Sequence, residues 1–178
     1  GRNKSGNDNL SYVMEKLGHP EKNIKAVHIA GTNGKGSTTQ FTADILCALG
    51  YAVGLFTSPH LLRINERISM MVPKDYADVA RSAETDDQTK DLSVKRMDIT
   101  DDEFVECFCV VREAVDESVR EGRLHLSYFE FLFAMAAVYF DSKKPDYVIY
   151  ETGLGGRLDA TNILAPVITA ITSIGLEH

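Results

Sequence analysis

The feature that restricts the fold most is a glycine-rich turn that joins an apolar stretch to a helical pattern. The apolar stretch 24–30 is typical of a buried strand, and it is followed at once by Gly-Thr-Asn-Gly-Lys-Gly-Ser at 31–37. Apolar residues then recur at helical spacing as far as Gly50, and 51–57 is typical of a second strand. A strand, a tight turn, a helix and a strand in this order predict a βαβ unit with parallel strands. The apolar residues expected on one face of the helix are Phe41, Ile45, Leu46 and Leu49.

The rest of the chain alternates helical and strand-like patterns around one long polar stretch. Thr100 and Glu103 form a capping box that predicts the start of a helix, and 128–140 is apolar on nearly all sides of another helix. Residues from about 73 to 100 are polar and non-periodic, which predicts a long surface loop. Further strand-like runs lie at 147–152 and 167–173. These patterns predict an α/β fold, with a parallel sheet flanked by helices on both faces.

Composition excludes several classes of function. The 178 residues include 26 acidic and 19 basic side chains, and the net charge of -7 argues against broad electrostatic binding to nucleic acid or to an acidic membrane. The longest apolar run, 129–140, is shorter than the ~20 residues that span a bilayer, and no signal peptide is visible. Three cysteines are too few for a disulfide framework. We therefore expect a soluble, cytoplasmic protein with reduced thiols.

The glycine-rich turn has the composition of a phosphate-binding loop. Its glycines allow backbone amides to converge on an anion, and the helix behind it adds the positive end of its dipole. Lys35 supplies a positive charge for β- and γ-phosphates, and Ser37 or Thr38 supplies a hydroxyl for a phosphate-bound Mg²⁺. The pattern departs from the usual phosphate loop because Gly36 separates the lysine from the hydroxyl residue. A turn that binds nothing is the weaker interpretation.

Polar side chains follow several of the predicted strands at their carboxyl ends. Glu151 ends one strand, Ser58 follows another, and His178 follows the last. Ligands of open parallel sheets bind along this edge, so these side chains are expected to converge near the glycine turn. Carboxylate and hydroxyl oxygens suit Mg²⁺, although histidine is a less usual ligand for it. The sequence therefore predicts a magnesium site at this edge.

A second glycine-rich segment follows Glu151. The sequence Thr-Gly-Leu-Gly-Gly-Arg-Leu-Asp-Ala-Thr-Asn at 152–162 displays polar residues, including Asp159, on a loop. Its spacing does not fit a dinucleotide-binding fingerprint, and an Asp/Thr/Asn run replaces the helix start that such a fingerprint requires.

These motifs resemble those of a known family. The segment 27–37 is similar to the ATP-binding loop of the Mur ligase superfamily, in the form found in its folate branch. The segments 58–68, 128–130 and 151–162 resemble those of folylpolyglutamate synthase and dihydrofolate synthase, in the same order. The resemblance covers nearly the whole chain.

The resemblance implies an ATP-dependent ligase. In this family ATP phosphorylates the carboxylate of a folate or dihydropteroate, and the amine of L-glutamate attacks the acyl phosphate. It implies catalytic roles for Lys35 and Glu151, a Mg²⁺ site at Ser58, Glu151 and His178, and a substrate pocket containing Arg67 and Asp159. The ATP-binding residues that it implies are Gly31, Thr32, Asn33, Gly34, Lys35, Gly36, Ser37 and Thr38. The expected molecule is a cytoplasmic monomer.

The family's members are much longer than 178 residues. Residues 1–178 are therefore expected to be the N-terminal part of the ATP-binding domain, without the rest of that domain or the C-terminal glutamate-binding domain. Such a fragment is expected to be inactive alone. The alternatives are another amide ligase of the Mur type, or a nucleotide-binding module without catalysis. A guanine-reading Asn-Lys-x-Asp motif would favour the module, and the sequence contains none.

Overall fold

The computed structural model describes residues 7–73, 94–153, 156 and 158–175. In chain order the helices and strands are α1 (Asp8–Lys16), β1 (Ala26–Ala30), α2 (Lys35–Ala48), β2 (Val53–Phe56), β3 (Ile68–Val72), β4 (Lys95–Asp98), α3 (Asp101–Arg120), α4 (Tyr128–Lys143), β5 (Tyr147–Glu151) and β6 (Ile168–Ile171). Three short 3-10 helices lie at Pro20–Asn23, Ile64–Arg67 and Ala160–Ile163.

Within the described residues, the strands form one six-stranded sheet in the order β4-β3-β2-β5-β1-β6. The four strands β1, β2, β5 and β6 are parallel, which confirms the predicted α/β class with its βαβ unit. The sheet is nevertheless mixed, because β3 and β4 pair antiparallel at one edge. Strand β4 occupies part of the polar stretch predicted as a loop. All four of its residues are exposed, so this charged edge strand carries no apolar pattern that a sequence reading could detect. Residues 74–93 of that predicted loop lie outside the described residues.

Helices cover both faces of the sheet, as predicted. On one face, α1, α3 and α4 enclose a core built around Phe56, Phe133 and Tyr150. On the other face, α2 packs against β1, β2 and β5 over a smaller core that includes Ile29, Leu55 and Ala43. Helix α4 lies so close to the sheet that a Cβ on Gly54 would come within 2.8 Å of the Phe140 ring. No helix in the described parts of the chain is long and apolar enough to cross a membrane.

The apolar side of α2 does not face the sheet. Phe41, Ile45 and Leu49 are between 61% and 68% exposed, whereas the side chains buried against the sheet are Thr39, Ala43 and Cys47. Small side chains allow the helix to approach the strands closely. The helical spacing was therefore predicted correctly, but three of the four residues on the predicted apolar face point to solvent, while Leu46 packs against the core.

Candidate active site

The glycine turn follows β1 and leads directly into α2. Gly31 has a φ of +141° and Gly34 a φ of +83°, both in the region that favours glycine. A Cβ on Gly31 would lie 1.9 Å from Oγ1 of Thr172, because the end of β6 passes against the turn. The Thr32 amide donates to the Ser173 carbonyl at 2.8 Å, which fixes the turn to this neighbouring segment.

The first turn of α2 presents free amide groups to the same edge of the sheet. The intrahelical bonds begin with the Thr38 amide, which donates to the Gly34 carbonyl at 3.0 Å, so the amides of residues 35–37 precede them. The Lys35 ammonium donates to the carbonyls of Gly31 at 2.9 Å and Thr32 at 3.2 Å. The turn therefore places one positive charge beside several amide donors, an arrangement suited to a polyphosphate.

Glu151 lies beside this turn, at the carboxyl end of the central strand β5. Its side chain is 4% exposed, and Oε2 accepts a long hydrogen bond of 3.4 Å from the Ser58 amide. Burial raises the pKa of Glu151, while the Ser58 amide and the charge of Lys35 act in the opposite direction. A cation bound here would oppose the effect of burial.

Two of the three predicted metal ligands are thus neighbours. The Ser58 amide contacts the Glu151 carboxylate, and both residues line one pocket, so a carboxylate and a serine lie close together, as a site for a hard cation such as Mg²⁺ requires. His178 lies outside the described residues. Within the described ranges, no three His, Cys, Asp or Glu side chains gather into a metal-binding group.

A cleft of about 780 Å³ opens beside the glycine turn. Lys35 and Ser58 lie along it, and the amino end of α4 contributes the aromatic rings of Tyr128 and Phe129. The loop that follows β5 completes the wall with Gly153, Leu158, Asp159 and Ala160. The cleft combines aromatic surface with a few charged groups, which is typical of a site for a planar organic ligand.

The two predicted substrate residues both line this cleft. Arg67 donates through Nε to Nδ1 of His60 at 2.8 Å, and its guanidinium lies 5.9 Å from the centre of the Tyr128 ring. Asp159 is 4% exposed and accepts from the Gly153 amide at 2.8 Å and from the Thr161 amide at 2.9 Å. Both side chains are therefore held by neighbours rather than free in solvent.

Sequence reasoning did not assign a site role to two groups of residues. The first is the aromatic pair Tyr128 and Phe129, which appeared only as part of a resemblance. The second is the pair His28 and Thr161, whose side chains contact each other beneath Asp159. A histidine within an otherwise apolar strand was the available signal for the second pair.

The comparisons with known proteins agree with this geometry. No protein-family model matches the chain. A curated dihydrofolate synthase/folylpolyglutamate synthase of Bacillus subtilis is 39% identical over 176 residues, covering 98% of this chain. A Mycobacterium tuberculosis folylpolyglutamate synthase complexed with ADP superposes over 99% of the chain with a TM-score of 0.79 at 30% identity. A solved complex of a folylpolyglutamate synthase with AMPPCP and folate covers all of the chain, with a TM-score of 0.78 and 30% identity.

Nearly the whole chain thus matches one segment of the folylpolyglutamate synthases and dihydrofolate synthases. It spans about a third of the length of these relatives, namely 35% of the Bacillus subtilis protein and 35% and 38% of the two solved chains. The family resemblance drawn from the motifs is thereby confirmed, and so is the expectation that this segment is much shorter than the family's members.

Proposed function

We propose that this chain is the N-terminal part of the ATP-binding domain of a ligase that adds L-glutamate to the carboxylate of a folate or dihydropteroate. The observation that carries the proposal is the meeting of Lys35, Ser58 and Glu151 at one sheet edge, where an aromatic cleft opens. The nucleotide complexes of the relatives, with ADP in one and with AMPPCP and folate in the other, support it.

The glycine turn is proposed to bind the triphosphate of ATP. The amides of residues 31–38 donate to its oxygens, and Lys35 leaves the carbonyls of its own turn to pair with the transferring phosphoryl group. A carboxylate oxygen of the folate attacks the γ-phosphorus and ADP leaves. Charge on that group is neutralised by Lys35 without an enzyme nucleophile.

Ser58, Glu151 and His178 are proposed to hold Mg²⁺ beside the triphosphate. The bound ion supplies charge neutralisation at the phosphate oxygens. In the second half of the reaction the glutamate amine attacks the acyl carbon, phosphate leaves, and the nitrogen loses a proton. Formation of the product therefore requires ATP, Mg²⁺ and glutamate together.

The cleft is proposed to receive the heterocyclic part of the folate or dihydropteroate. Tyr128 and Phe129 supply aromatic faces for a planar ring, and Arg67 and Asp159 supply the polar contacts. We further propose that the protein acts as a monomer in the cytoplasm on small-molecule substrates, without nucleic acid.

The proposal is tested with the full-length gene product. We expect it to extend a folate or dihydropteroate by glutamate only when ATP and Mg²⁺ are present. Lys35→Ala is expected to lower kcat by roughly 10²–10³-fold, because it removes the side-chain charge at the phosphoryl group. Lys25→Ala, at the amino end of β1, is the matched control and is expected to retain activity.

Two results would contradict the proposal: no glutamylated product from the full-length protein, or activity that survives Lys35→Ala. ATP binding without any product would instead favour a nucleotide-binding module. The 178-residue chain alone is expected to give no turnover, since it spans only a third of its relatives. Product formed by this chain alone would refute that expectation.

A further inference from the structure

A buried histidine contacts the loop that forms one wall of the cleft. His28 lies in β1, the strand that ends in the glycine turn, and it is 8% exposed. Its Nε2 is 2.7 Å from Oγ1 of Thr161, a residue 133 positions away in the chain. The side chain is on the opposite face of β1 from Ile29, which packs under α2, so His28 points away from α2.

Thr161 connects this histidine to Asp159. Its hydroxyl donates to Asp159 Oδ1 at 2.5 Å, and its amide donates to the same oxygen at 2.9 Å. Thr161 is fully buried, so no water competes for these bonds. Because the single hydroxyl proton of Thr161 goes to the carboxylate, its oxygen must accept the second bond from His28.

These bonds determine the tautomer and the charge of His28. His28 carries a proton on Nε2, and burial lowers its pKa while the charge of Asp159 acts in the opposite direction. The side chain is therefore a neutral donor at neutral pH. It orients the Thr161 hydroxyl toward Asp159 and away from any other acceptor.

Asp159 also contacts a second residue of the cleft wall, Gly153. Its Oδ2 accepts from the Gly153 amide at 2.8 Å, which holds Gly153 beside Asp159. Gly153 has no room for a side chain, since a Cβ there would lie 2.9 Å from the Phe129 ring. A rotation of the Asp159 carboxylate would therefore break its bond to Gly153, the residue that lies against the Phe129 ring.

We infer that His28 is a positioning residue for the organic substrate: through the Thr161 hydroxyl it fixes the Asp159 carboxylate at the wall of the cleft. The inference rests on the proposed function, in which this cleft receives the heterocycle of the folate or dihydropteroate. His28 itself does not line the cleft, so it acts through Thr161 and Asp159 rather than by touching the ligand.

The test compares three substitutions in the full-length gene product. His28→Gln keeps an N–H donor near the position of Nε2, His28→Met keeps bulk without a donor, and Thr161→Val removes the hydroxyl at nearly constant shape. We expect His28→Met and Thr161→Val each to raise the KM for folate about tenfold, with the KM for ATP unchanged. We expect His28→Gln to remain within about twofold of the wild type.

Two further variants separate positioning from stability. The double variant His28→Met/Thr161→Val should have a folate KM no higher than either single variant, because both changes break the same link. His19→Met is the matched control: it removes a histidine contact of 3.0 Å to Glu21, before β1 and outside the cleft. It should lower the denaturation midpoint and leave the folate KM unchanged.

The inference is overturned if Thr161→Val leaves the folate KM unchanged, or if the KM values for ATP and folate rise together. If His28→Met does not fold, Thr161→Val and His28→Gln decide the question. A wild type that binds folate but makes no product would refute the proposed ligase, and calorimetric folate affinities of the same variants would then decide the role of His28. A wild type that does not bind folate overturns the inference as well.

Discussion

At the scale of single residues, Gly31 shows how closely the phosphate turn and the end of β6 depend on each other. We expect Gly31→Ala to destabilise the fold by about 2–4 kcal/mol, because a Cβ meets Oγ1 of Thr172 at 1.9 Å and a φ of +141° strains an L side chain. Equilibrium denaturation measures this change. Gly36→Ala is the control, since its Cβ would enter open space on α2 and is expected to leave stability unchanged or slightly raised.

The clash can also be tested by removing its other partner. Thr172→Ala introduced together with Gly31→Ala should recover part of the lost stability, because the nearest atom is then gone while the backbone strain remains. A double variant no more stable than Gly31→Ala would show that the hydroxyl contact does not contribute.

The three cysteines differ in burial, and we expect this to make them differ in reactivity. Burial raises the pKa values of Cys47 and Cys107 to about 11, while Cys109 is exposed. At pH 8 roughly a thousandth of a thiol with such a pKa is ionised, so we expect a thiol reagent to label Cys109 quickly and the other two only on unfolding. Cys109→Ser should remove the fast phase, whereas Cys107→Ser should retain it.

At the scale of elements, Glu103 stabilises the start of α3 and also joins it to α4. Its carboxylate accepts from the Thr100 amide at 2.9 Å and pairs with the Lys143 ammonium at 2.6 Å. The bond from Lys143, followed by that from the Thr100 amide, lowers the pKa of Glu103. A carboxyl whose pKa is lowered on folding contributes stability above its unfolded pKa and loses it as the pH falls through the folded value.

We therefore expect Glu103→Gln to cost about 1 kcal/mol of unfolding free energy at pH 7, with the difference from the wild type disappearing at acid pH. Urea denaturation across this pH range measures it. Glu106→Gln, an exposed position on the same helix, is the matched control and should change stability little at any pH. A cost of the same size at all pH values would contradict the ion pair as its cause.

Elements with local signals were predictable, and those without were not. The capping box at Thr100 and Glu103 spans only four residues, so the local sequence is enough to predict where α3 begins. The structure confirms that prediction. Strand β4 depends on pairing with β3 rather than on its own apolar content, and it was missed. The sequence also did not predict which face of α2 packs against the sheet, because the helical spacing of its apolar residues does not depend on that choice.

At the scale of the whole molecule, β6 ends the sheet with apolar residues in solvent. Ile168 and Ile171 are 61% and 65% exposed, and among the strands of the described residues β6 pairs with β1 alone. An unpaired apolar edge strand promotes association between chains. We therefore expect the isolated 178-residue chain to self-associate as its concentration rises, in contrast to the full-length protein, which is proposed to be a monomer. Ile168→Lys/Ile171→Lys is expected to reduce this association, as measured by sedimentation velocity.

The control for the β6 variant is a pair of equally exposed apolar residues that do not belong to a sheet edge. Leu61 and Leu62 are 89% and 90% exposed in the loop before the 3-10 helix at Ile64–Arg67. Leu61→Lys/Leu62→Lys removes apolar area without changing a sheet edge. If this control reduces association as much as the β6 variant, general surface hydrophobicity rather than the open edge is responsible.

Much of the candidate site followed from rules that connect sequence to topology. Lys35 lies within a contiguous motif, and Ser58 and Glu151 follow strands whose carboxyl ends meet in a parallel sheet. It could therefore be predicted from the sequence that these three residues lie close together. The functional roles of these residues stay predictions, as does that of His178.

The sequence by itself determined the α/β class, the family and the position of the glycine turn, because each depends on short-range pattern or on contiguous motifs. Only the tertiary structure decided that β3 and β4 extend the sheet antiparallel, that small residues of α2 face it, and that His28 meets Thr161 beneath Asp159. These features depend on which distant segments pack together, and contacts between residues 133 positions apart leave no periodic trace in the chain.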